Sequence, residues 1–129
     1  MRFMFGLTSI LMAASACSSP DPESQQRLGS AVYSTYCHSC HEAPGTGPRL
    51  TPAVLSSRLD AARLYTYNQQ QMPYNAAETL SDEDYLNVTA WLLVRANLLA
   101  PNTTLSMRNM ETILLTPPNE EVSPSTPKP

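Results

Sequence analysis

One pentapeptide constrains this chain more than anything else in it: Cys37-His38-Ser39-Cys40-His41. Two of the three cysteines and both histidines fall within five positions. Two thiols three residues apart lie on one side of a helical turn, and the next residue projects an imidazole beside them. Whatever the rest folds into must present that turn to a common partner.

The spacing C-x-x-C-H is the attachment signature of c-type haem: both thiols reach haem vinyl groups as thioethers, and His41 faces the iron. Two other chemistries use similar residues. A redox Cys-x-x-Cys normally opens a helix after a strand, and no strand pattern precedes Cys37. Structural zinc wants four ligands, and there is no second Cys/His cluster. His38 sits inside the turn on the side of His41 and cannot reach the opposite iron face. The sixth ligand is then a Met, another side chain or nothing.

The mature chain offers Met72, Met107 and Met110. Pro73 biases Met72 toward extended geometry and presents it from a loop. Met107 and Met110 read as packing residues on a short closing segment and are the alternative ligands.

The 129 residues allow one small domain. Eight basic residues stand against eleven acidic ones, and Lys128 is the only lysine. Nucleic acid is therefore an unlikely partner, for want of a basic stripe. Residues 1–16 read as a signal peptide: Arg2, an apolar run from Phe3 to Met12, then Ala14-Ser15-Ala16. Cys17 directly after that cut resembles a bacterial lipobox, and it is the cysteine left over, so it is the expected lipidation site and membrane anchor. Residues 17–23 form the lipidated Cys and its tether. Residues 24–115 are the domain. Residues 116–129, with five Pro among fourteen, form a tail expected to be disordered.

Period-two alternation is absent and helical patterning recurs, so the fold class is all-α. Helices are expected over Ser24–Tyr36, over Asp60 to about Gln71 with Leu59, Leu64 and Tyr67 facing inward, and from Ser81. Ser81 and Asp84 form a capping-box-like pair, and Tyr85, Val88, Thr89 and Leu92 follow on one face. About ninety residues make a thin core, so the chain without haem should be largely unfolded.

Gly29-x-x-x-Tyr33-x-x-x-Cys37-x-x-Cys40-His41 resembles the class I cytochrome c family. The resemblance implies a small helical fold around one covalent haem c, with the Gly29 helix crossing the last helix and Trp91 packed between them. It implies that the Pro48 carbonyl, in Gly47-Pro48-Arg49-Leu50, accepts from His41 Nδ1–H. It implies that Met72 of Met72-Pro73 is the axial ligand, and that Arg49 or Arg58 meets a haem propionate. A narrower resemblance runs through Leu64-Tyr65-x-Tyr67, Met72-Pro73-Tyr74-Asn75, Leu80 to Leu86, and Val88 to Leu93. It is similar to cytochrome subunits and fused domains serving periplasmic dehydrogenases of the quinoprotein alcohol and sulfite types. Together these imply a non-catalytic one-electron carrier on the periplasmic side. A dehydrogenase would be its donor and an oxidase or another cytochrome its acceptor. The alternatives are a fixed subunit of a dehydrogenase complex, an open-iron enzyme, and a zinc-stabilised interaction protein.

Overall fold

Capping residues fix where the helices begin. The computed structural model describes residues 20–116; the expected signal peptide, the Cys17 lipidation site and positions 117–129 of the expected tail lie outside them. α1 runs Pro22–Tyr36. The Asp21 carboxylate accepts from Ser24 N–H at 3.0 Å, and Pro22 occupies the first turn, where its missing N–H costs nothing. The helix therefore starts two residues earlier than expected and takes Pro22 and Glu23 out of the tether.

α2 is the single turn His38–His41, α3 spans Pro52–Ser56, α4 spans Ala61–Gln71 and α5 spans Asp82–Arg95. A short 3-10 turn follows at Met110–Thr112. Asp60 caps α4 by accepting from Arg63 N–H at 2.8 Å. Ser81 caps α5 by accepting from Asp84 N–H at 3.1 Å, and three acidic residues in that first turn complement the helix dipole. Among the described residues there is no strand, only one isolated bridge between Asp60 and Leu114.

The frame is the crossing of α1 and α5. A Cβ on Gly29 would collide with the Asn87 carbonyl and come within 2.6 Å of Trp91 Cβ. Only glycine lets the backbones approach this closely. Beside it the Tyr33 and Trp91 rings stack at 4.5 Å between centroids. A second tie is long-range. The buried Gln25 amide donates to Leu105 O and accepts from Leu105 N–H, both at 2.8 Å, pinning the C-terminal segment across the start of α1.

Two expected inward residues point out instead. Leu59 is 60 % exposed, because its backbone has φ 75° and contributes its carbonyl, which accepts from Leu115 N–H at 2.9 Å. Met107 is 57 % exposed, while Met110 packs into the core. Tyr67 is half-buried.

Candidate functional site

The helices enclose a cavity of about 420 Å3, with most of its lining apolar, including Leu50, Leu55, Leu64, Val88 and Leu92. The C-x-x-C-H turn supplies one part of the lining and Met72, at the end of α4, another.

The histidine side is built locally. Cys40 N–H and His41 N–H both donate to the Cys37 carbonyl, at 3.2 and 3.0 Å, so one tight turn sets all three functional side chains. His41 is 8 % exposed. Its Nδ1 lies 2.7 Å from Pro48 O. A carbonyl can only accept, so Nδ1 is the donor, and in the neutral ring this tautomer leaves the Nε2 lone pair available to a metal. The loop that brings Pro48 there folds back on the turn, with Gly47 N–H donating to Cys40 O at 2.9 Å. A Cβ on Gly45 would strike the Ser39 and Cys40 carbonyls, and one on Gly47 would lie 3.2 Å from His41 Nδ1.

Cys37 and Cys40 are free thiols. Burial, reinforced by the neighbouring Cys40, pushes the Cys37 thiol up to about 11. Among the described residues no group of three or more His, Cys, Asp or Glu is placed to hold a metal ion, which leaves the zinc alternative without its ligand set.

Behind the turn, Glu42 joins three elements. It accepts from Tyr33 Oη at 2.8 Å and pairs with Arg49 at 2.6 Å and Arg95 at 3.0 Å. The tyrosine hydrogen bond, with the two arginines, holds its carboxyl below the usual range. Arg49 is thus turned to Glu42 and to the His41 carbonyl, 3.5 Å away, and is not part of the cavity lining. Arg58 is part of it, with its guanidinium 3.5 Å over the Tyr67 ring. Of the two expected propionate partners, the structure turns Arg58 to the cavity. Glu42 is a site residue that none of the sequence motifs included, although its place directly after His41 was a signal.

Met72 is extended, with φ −127° and ψ 147°, as Pro73 requires. Its N–H donates to Asn68 O at 3.0 Å and its carbonyl accepts from Tyr85 Oη at 2.8 Å. It lines the cavity; Met107 and Met110 do not. Two thiols, an imidazole with a free Nε2, a thioether and an apolar lining make a donor set that fits a covalently held haem.

Over residues 24–92, more than half of the chain, the sequence matches the family described as cytochrome c oxidase, cbb3-type, subunit III. The chain belongs to that family. It is a class I c-type cytochrome, an all-α electron-transfer domain whose cofactor is haem c. No curated protein matches the cytochrome. A chain in the crystal structure of the sulfane dehydrogenase SoxCD from Paracoccus pantotrophus superposes with a TM-score of 0.61 at 21 % identity. The match covers 98 % of this chain and 77 % of that one. At such identity the likeness speaks for the fold that the cytochrome shares with it.

Proposed function

We propose that the cytochrome carries single electrons outside the cytoplasmic membrane with one haem per chain, bound by Cys37, Cys40, His41 and Met72. One observation carries this reading: a single apolar cavity is lined by both the C-x-x-C-H turn and the methionine before Pro73. When bound, the haem supplies a one-electron ferric/ferrous couple. Cys37 and Cys40 would hold the haem covalently as thioethers. His41 Nε2 and the Met72 thioether would hold the iron, and an iron held by both would favour electron transfer over oxygen or peroxide activation. The Pro48 carbonyl fixes the orientation of the His41 ring. Arg58, on the cavity wall, would meet the haem propionates, and Arg49 pairs with Glu42 as a brace.

In this reading residues 1–16 direct export, lipidated Cys17 tethers the domain, a periplasmic dehydrogenase donates electrons, and an oxidase or another cytochrome accepts them into the respiratory chain. Without Arg2 the chain keeps seven basic and eleven acidic residues. A lysine ring around the haem edge is therefore impossible, and docking relies on apolar contact, scattered Arg or a basic partner. A fixed subunit of a dehydrogenase complex is the second reading, favoured by the structural likeness to SoxCD. Among the described residues no helix is long and apolar enough to cross a membrane.

Spectropotentiometric titration of the holoprotein, with carbon monoxide added to the ferrous form, tests the carrier reading. The expected result is one single-electron transition and no binding of the gas. Ready carbon monoxide binding would favour an open-iron enzyme. Fractionation of Cys17→Ser tests the anchor: the variant should be soluble and wild type membrane-bound, and equal solubility would remove it. Stable co-purification with a dehydrogenase would choose the fixed subunit.

A further inference from the structure

Four hydrogen bonds close a ring through the Met72 backbone. Met72 N–H donates to the Asn68 carbonyl at 3.0 Å. Asn68 Nδ2 donates to Thr89 Oγ1 at 3.0 Å, and Thr89 Oγ1 donates to the Tyr85 carbonyl at 2.7 Å. Tyr85 Oη then donates to the Met72 carbonyl at 2.8 Å. The ring joins the end of α4 to the middle of α5. Tyr85 is 1 % exposed and Thr89 is fully buried, so these bonds are made largely away from water.

A carbonyl at a helix C-terminus has no partner within the helix and is ordinarily left to solvent. Here a buried phenol from another helix takes it. Displacing Met72 would leave that phenol without an acceptor inside the core, a cost that water does not repay. Thr89 uses its hydroxyl twice, as acceptor from Asn68 and as donor to Tyr85, so it couples the two halves of the ring. None of these bonds goes to the Met72 sulfur. The ring therefore fixes where the thioether is presented and leaves its electronic character alone.

We infer that Tyr85 and Thr89 are positioning residues for the axial methionine: they hold the Met72 backbone at the cavity wall and set how readily an external ligand replaces its thioether. The inference rests on ligation by Met72, proposed above.

The test is imidazole titration of the ferric holoprotein, followed through loss of the methionine–iron charge-transfer band. It is run on wild type, Tyr85→Phe, Thr89→Val, Thr89→Ser and Met72→Ala. Loss of one buried hydrogen bond should tighten imidazole binding to Tyr85→Phe by about threefold to tenfold, with the band itself unmoved before titration. Thr89→Val should shift the same way, and Thr89→Ser, which keeps the hydroxyl, should match wild type. If Tyr85→Phe only weakened the core, its global unfolding midpoint would fall while its imidazole affinity stayed at the wild-type value, and that result overturns the inference. Thr89→Ser behaving like Thr89→Val overturns the part given to Thr89. Should Tyr85→Phe fail to fold, the two Thr89 variants carry the test. A band that persists in Met72→Ala removes the ligation itself, and a missing band there separates the two failures.

Discussion

Around His41 the chain closes on itself between Cys37 and Arg49, through one helical turn, two crowded glycines and the Pro48 carbonyl. Met72 is instead held across a helix–helix interface, by a tyrosine thirteen residues further on. On the histidine side the backbone has no spare room, since Gly45 and Gly47 abut backbone or ring atoms. On the methionine side the chain beyond Pro73 is largely exposed, and only the backbone of Met72 is gripped. The contrast teaches how one cavity can pair a nearly immovable histidine with a methionine held by a few breakable bonds. Easier exchange is expected at the second, because fewer contacts must open.

The most drastic way to break the contrast is to remove the histidine side's covalent link. Cys37→Ala/Cys40→Ala should retain no haem after acid–acetone extraction and should lose native tertiary structure by near-UV circular dichroism, because the cofactor completes a thin core. A folded, haem-free preparation would show that the cavity is stable on its own.

Next comes crowding. Gly45→Ala places a methyl against two backbone carbonyls and should cost about 3 kcal/mol in denaturant unfolding of the holoprotein. A cost near zero would mean that the loop has room to move and that the histidine side is not rigid.

A smaller effect should appear at high pH in the brace behind His41. Burial, with the Glu42 carboxylate beside it, pushes the Tyr33 phenol up to about 12 from its ordinary 10. The raised value means the neutral phenol is favoured in the folded state. That contribution is complete below pH 10 and is lost as pH rises through about 12. The unfolding midpoint of wild type should therefore fall over this window more than that of Tyr33→Phe, and parallel curves would detach Tyr33 from the brace.

The smallest effect belongs to the loop after Met72. Glu78 has φ 60°, so Glu78→Gly removes strain while adding freedom to the unfolded chain. These oppose each other, and stability should stay within about 1 kcal/mol of wild type. A larger loss would give this loop a rigidity that the comparison denies it.

Which of these features could be seen in the sequence follows the same division. The histidine turn, the Ser81–Asp84 cap and the extended Met72 are each set by neighbours within a few positions, and local physics locates them. Asp21-Pro22 was equally local, a cap followed by a first-turn proline, and it starts α1 two residues before the expected Ser24. Contacts between distant positions left no local trace. Gln25 meets Leu105 eighty residues away, and the Tyr85 hydroxyl finds Met72 only because α4 and α5 lie side by side. Leu59 is expected to face inward with the apolar face of the middle helix, but its left-handed backbone turns the side chain outward. Arg49 and Arg58 were indistinguishable as cations; Glu42 claims the first and Tyr67 stacks under the second.

The central claim, that His41 and Met72 face one iron from two sides of one cavity, is tested most directly by the ferric spectrum of wild type and Met72→Ala, each with haem content fixed by pyridine haemochrome. The account predicts one haem per chain in both proteins, with a methionine–iron charge-transfer band in wild type that Met72→Ala lacks. A band that survives the substitution, or a wild-type protein without one, would contradict it.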